Sequence, residues 1–134
     1  MDEIKTWRIA VPFTLLLVAS IPALAHHGTN ISYDHQHPIT FKATVTEFRF
    51  AHPHAQIFFD VKDDKGNIVH WSGELTDPLN LARSGWTKRR SEAALKAGTP
   101  LMITVFPSKA GTTVGVVSKI IDEKGEQILL GREP

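Results

Sequence analysis

The chain has 134 residues, with 15 Lys+Arg against 14 Asp+Glu, 7 His and no Cys, for a net charge of +1. That length supports one domain, and 42% hydrophobic with 22% charged content is ordinary for a globular protein. The small net charge excludes strong bulk steering toward nucleic acid or acidic substrates, and the lack of Cys excludes disulfides, thiolate zinc sites, iron–sulfur clusters and Cys nucleophiles.

The first segment reads as an export signal. An apolar run of 13 residues, Ile9 to Ile21, follows Lys5 and Arg8. Pro22 breaks it, and Ala23-Leu24-Ala25 places small residues at the −3 and −1 positions of an A-x-A cleavage site. Asp2 and Glu3 cancel the two basic residues, which is unusual for such a segment. An uncleaved anchor is the weaker reading, because Ile9 to Ala25 lies at the bottom of the spanning range and holds two prolines. The sequence therefore predicts a signal peptide over residues 1–25, no membrane span after cleavage, and a periplasmic or secreted product that begins at His26. Without thiols, that product must be held together by core packing, which ~100 residues can supply.

Residues 26–38 are polar and His-rich, and read as an extended N-terminal arm. From Ile39 the pattern becomes β. Phe41, Ala43 and Val45 alternate with polar residues, then the apolar phase slips to Phe48 and Phe50, which predicts a β-bulge. Pro53 marks a corner. Ile57, Phe59 and Val61 face inward on a second strand, and Asp63-Asp64-Lys65-Gly66-Asn67 is a hairpin turn. A third strand runs from Ile68 to Leu75, with Val69 and Trp71 on one face and His70 on the other.

Asp77 and Pro78 predict a helix start, as N-cap and N1 residues. That helix ends at Gly85, and a second spans about Arg89 to Lys96. Strands return over 101–106, 113–121 and 127–130. Three strands, a helical connection and two or three more strands, with a bent first strand, predict a five- to six-stranded OB-like Greek-key barrel over residues 39–134. An up-and-down barrel or a small sandwich is the alternative.

The histidines carry the functional signal, since all 7 fall between His26 and His70. As a new N-terminus, His26 offers an α-amine and an imidazole that chelate a metal together. One further imidazole completes a T-shaped set of three nitrogens, a histidine brace, which suits Cu(II) best among biological divalent ions. An α-amine has a pKa of ~7.7–8.0, so a metal can displace its proton near neutrality. His27 and the pair His52 and His54 are the further candidate ligands. His35 and His37 repeat the i, i+2 spacing in a loop, with Asp34 beside them as a supporting acceptor. Residues so spaced share a face only where the chain is extended. His70 reads as structural. Met102 is the sole Met left after cleavage, so a Met-rich Cu(I) site is excluded and Zn(II) is the alternative metal.

Other constellations are weaker. Arg83, Lys88, Arg89 and Arg90 cluster around Trp86, which in an OB-type barrel raises single-stranded nucleic acid. Export and a net charge of +1 argue against that, in favour of a solvated helix face. Trp71, Glu74, Arg83 and Trp86 are candidates for a groove that takes a protein partner or a glycan. No G-x-S-x-G, H-E-x-x-H, P-loop or dinucleotide fingerprint occurs.

The whole pattern resembles a widespread group of small exported bacterial proteins classed as a domain of unknown function. The residues that carry the resemblance are His26-His27, Pro38 through Val45-Thr46, His52-Pro53-His54-Ala55-Gln56-Ile57 and Val61-Lys62-Asp63. Trp71 with Glu74-Leu75, and Asn80-Leu81-Ala82-Arg83-Ser84-Gly85-Trp86-Thr87, complete it. Two positions depart from the group's pattern. Gly28-Thr29 stands where Ser and an aromatic follow the His pair, and His52 stands where Asn precedes Pro-His. His54 is thus the group's position and His52 is particular to this chain. The resemblance implies an exported OB-like barrel and brings no settled activity.

Three functions follow as expectations. The first is a periplasmic protein that binds or delivers Cu(II), with His26, His27 and His54 as ligands and His52, His35 and His37 in reserve. The second is an exported interaction module that binds without metal. The third, ranked last, is an oxidative copper enzyme built on the same brace, since no general acid or substrate pocket is evident. The partner expected is a periplasmic or inner-membrane protein.

Overall fold

β1 (Ile39–Arg49) changes its inward face part-way along. Its register against β2 (Gln56–Lys62) shifts between Val45 and Glu47, so Thr46 is the extra residue of the expected bulge. Ala43 and Val45 are buried before it, and Phe48 and Phe50 pack on the core after it. The computed structural model describes residues 32–129; the predicted signal peptide, His26 and His27 lie outside them.

The β2–β3 hairpin is built by its turn. Asp63 Oδ1 accepts from the amides of Lys65 and Asn67, and Gly66 takes a positive φ of 83°. From that turn β2 and β3 (Ile68–Glu74) run in unbroken antiparallel register, from Lys62 opposite Ile68 to Gln56 opposite Glu74. The helices come next. In α1 (Pro78–Arg83) the Asp77 side chain caps the Asn80 amide with Pro78 at the first turn, as the sequence predicts. In α2 (Lys88–Ala94) Thr87 is the cap, so this helix starts and ends earlier than the expected span of Arg89 to Lys96. Leu95 has already left helical geometry, at ψ 40°.

β4 (Pro100–Pro107) pairs with β1 and β5 (Val114–Ile121), and β5 pairs in parallel with β3. The strand order β1-β2-β3-β5-β4 closes on itself. This is the OB-like barrel, with the helical connection between β3 and β4. The strand expected over 127–130 does not form in the described part. Gln127 makes only an isolated bridge to Ile121, and Leu129 has a φ of +56°, which an extended strand cannot hold. Ile128 and Leu129 are both buried, plugging the core rather than alternating across a sheet.

Inside the barrel, Phe59, Ile57, Ile103, Val105 and Val117 are fully buried. Phe41 and Trp71 pack on them, with ring centroids 4.8 Å apart. Leu81 of α1 and Leu95 after α2 close the cluster. Full burial of one such side chain is worth about 1.5–3 kcal/mol.

Candidate functional site

The corner before β2 and the end of β3 meet because the hairpin ladder continues past both strands. The Leu75 amide donates to the Ala55 carbonyl at 2.8 Å, and the Ala55 amide donates to the Thr76 carbonyl at 3.1 Å. Ala55 and Leu75 are fully buried, which pins both segments to the core. With Gln56 opposite Glu74, His54 lies diagonally beside Glu74 on the outer face, within reach of long side chains. The contact is made: His54 Nδ1 lies 2.6 Å from Glu74 Oε1, and both side chains are about one-third exposed or less, at 32% and 26%.

That ion-pair contact has a chemical consequence. A carboxylate beside Nδ1 favours the proton there and leaves Nε2 as the ring nitrogen for a further ligand. Asp77, at the start of α1, adds negative charge to the same corner. Its carboxyl is held below the ordinary value, chiefly by the Asn80 amide and to a lesser extent by the charge of His54. The corner is therefore suited to a cation.

The other histidines are placed differently. Residues 52–54 form a bend and not an extended chain, so His52 and His54 do not act as a same-face pair. His52 is exposed, before a cis peptide bond to Pro53. Residues 35–37 also form a bend, and His35 and His37 diverge. His37 Nδ1 meets Asp34 Oδ2 at 2.9 Å on the surface, and Asp34 is held below its ordinary value chiefly by this contact. Asp34 is thus the supporting acceptor the sequence suggested. His35 packs on Phe106, with centroids 4.4 Å apart, and both its ring nitrogens are buried without a hydrogen-bond partner among the described residues. His70 points outward, paired with Asp60 across the hairpin.

Three imidazoles thus carry a carboxylate on Nδ1, and only the His54–Glu74 pair is sheltered on both sides. Among the described residues, no group of three or more His, Asp or Glu side chains is placed to hold a metal ion. A metal at His54 would need donors from outside them.

The residues of the suggested groove separate. Trp71 turns into the barrel against Phe41 and Phe59. Trp86 lies under the Arg90 guanidinium, 4.0 Å from the ring centroid. Glu74 joins His54, and Arg83 is exposed at the end of α1. A half-open cavity of about 720 Å³ lies at the far end of the hairpin, and none of these four residues lines it. Glu74 as the partner of His54 is the contact that the sequence reading missed. Counting back from the Asp63–Asn67 turn in strict register was the signal that could have found it.

The geometry can be set beside known proteins. A family model described as "Family of unknown function (DUF6152)" matches residues 14–118. No curated protein and no solved structure matches the chain. Among the described residues, no helix is long and apolar enough to cross a membrane.

Proposed function

The chain belongs to this family of unknown function, and from its own side chains we propose that it is a periplasmic metal-binding protein that takes Cu(II) for delivery or buffering. The metal is held by the His26 α-amine and imidazole, with His27 and His54 supplying further nitrogens. The observation that supports this reading is the sheltered His54 Nδ1–Glu74 contact, which leaves the other ring nitrogen, Nε2, for a metal. Nitrogen donors without thiolate or thioether favour Cu(II) over Cu(I), with Zn(II) the competing ion. When bound, the metal supplies the tight, pH-dependent capture of these donors. The chain's residues orient one imidazole and set a negative corner around it.

The test is native mass spectrometry of protein exported to a bacterial periplasm with a C-terminal tag only, before and after one equivalent of Cu(II). The expected result is a chain that begins at His26 and retains one copper, with retention lost in the His26→Ala, His54→Ala double variant. Retention by that variant as tight as wild type would overturn the ligand set. A mass that still includes Met1 to Ala25 would remove the free amine and the brace with it. A mature chain that retains no copper would leave a metal-free interaction module as the better reading.

A further inference from the structure

The charge of this chain is unevenly placed. Residues 79–96 hold five basic residues (Arg83, Lys88, Arg89, Arg90 and Lys96) and one acidic residue, Glu92, in a chain whose total is only +1. The rest of the molecule is therefore net negative, and the α1–α2 connector is its positive end.

Not all of these cations are available. Arg90 is committed to the Trp86 ring and to the Gly85 carbonyl at 3.1 Å. Lys88 lies 3.8 Å from Glu92 in an exposed pair of small energetic worth. Arg83, Arg89 and Lys96 are exposed and make no ion pair among the described residues. Arg89 lies on α2, which buries Ser91 and packs Ala94 inward, so it projects from the opposite side; Lys96 follows the helix end at Leu95 and is exposed. On α1, Leu79 precedes Arg83 by four residues and so shares its face, and Leu79 is 53% exposed while Leu81 is fully buried.

We propose that the α1–α2 connector is a docking surface for an anionic phospholipid bilayer. A basic side chain one turn from an exposed Leu, as Arg83 is from Leu79, is what an interfacial helix presents to lipid. Arg and Lys stems lie along the apolar boundary while their charged ends reach headgroup phosphates. An acidic peptide would be better served by a concave site. The half-open cavity at the far end of the hairpin is lined by no connector residue. This surface is independent of the histidine corner, and of whether that corner binds metal.

The experiment is sedimentation of the periplasmically purified protein with vesicles that contain phosphatidylglycerol, compared with vesicles of phosphatidylcholine alone. The expected result is binding to the anionic vesicles only, weakened by salt. Arg83→Gln, Arg89→Gln and Lys96→Gln should each weaken it about fivefold, the factor expected for one surface cation. Leu79→Ser should weaken it as well, while Lys119→Gln, an exposed site outside the connector, should leave it unchanged. Thermal melts check that each variant is folded. Any contribution of residues 1–25 is common to all variants, so the comparison stands whether or not they are retained. Equal binding to both vesicle types, or unchanged binding by the Arg89 and Lys96 variants, would overturn the proposal. So would full competition by polyglutamate at matched charge, which would assign the surface to an acidic protein.

Discussion

Gly73 of β3 sits directly opposite Gly115 of β5, at the parallel seam that closes the barrel. Neither position has room for a methyl group. A Cβ on Gly73 would lie 2.5 Å from Val117 Cγ2, and one on Gly115 would lie 2.9 Å from the Phe106 carbonyl oxygen. The seam brings the strands close, and it ends at Glu74, the residue that orients His54.

Overpacking at this seam should therefore be costly. Gly73→Ala is expected to lower stability by about 1–3 kcal/mol in urea denaturation. The clash is with a side-chain methyl group, so Val117→Ala in the same chain should make the Gly73 substitution cheaper than it is alone. Strict additivity of the two changes would refute this account of the seam.

His35 offers the opposite case. Its two ring nitrogens are buried without partners among the described residues, while its ring packs against Phe106. An unsatisfied buried polar group is destabilising, whereas an apolar ring of similar shape keeps the packing. His35→Phe is expected to stabilise the fold by about 1 kcal/mol. Denaturation measures this directly, and a loss of stability would show that the nitrogens are satisfied in solution. Copper retention should not change, since the proposed ligands are His26, His27 and His54.

Much of the fold could be read from local chemistry. The phase slip from Val45 to Phe48 announced the bulge, Asp63 to Asn67 announced the hairpin, and Asp77-Pro78 announced α1. What escaped depended on long-range pairing. Val117 and Ile120, three residues apart, both face the core because the β4–β5 register shifts between them beside Ser118, and an unbroken apolar run carries no such signal. Thr87 was legible as a helix cap only by its position before Lys88, where it competes with the Gly85-Trp86 turn. The histidine pairs failed as same-face pairs because their spacing was read as extended chain, and both segments bend. The His54–Glu74 contact joins residues from two different strand ends, and no motif announces it.

Acid should loosen the start of α1. Asp77 has its carboxyl lowered below 3.8, first by the Asn80 amide, with the charge of His54 a smaller cause. A lowered folded value means that this stabilisation is fully present above the unfolded value and is lost as pH falls through the folded one. Asp77→Asn keeps a capping oxygen but removes the charge. Its stability should fall less steeply than that of wild type below about pH 5. Urea titrations across that range should separate the two chains, and parallel curves would count against the charge.

The position of Glu74 makes a sharper prediction about His54. Glu74 touches no metal in the proposed site; it holds the ring through Nδ1 at 2.6 Å. A positioning residue of this kind typically accounts for about 10–100-fold in metal affinity. Glu74→Gln should weaken Cu(II) binding by that order. Both side chains are partly exposed, so the urea midpoint should move little. Unchanged Cu(II) affinity in a folded Glu74→Gln variant would mean that Glu74 does not position His54 as a ligand.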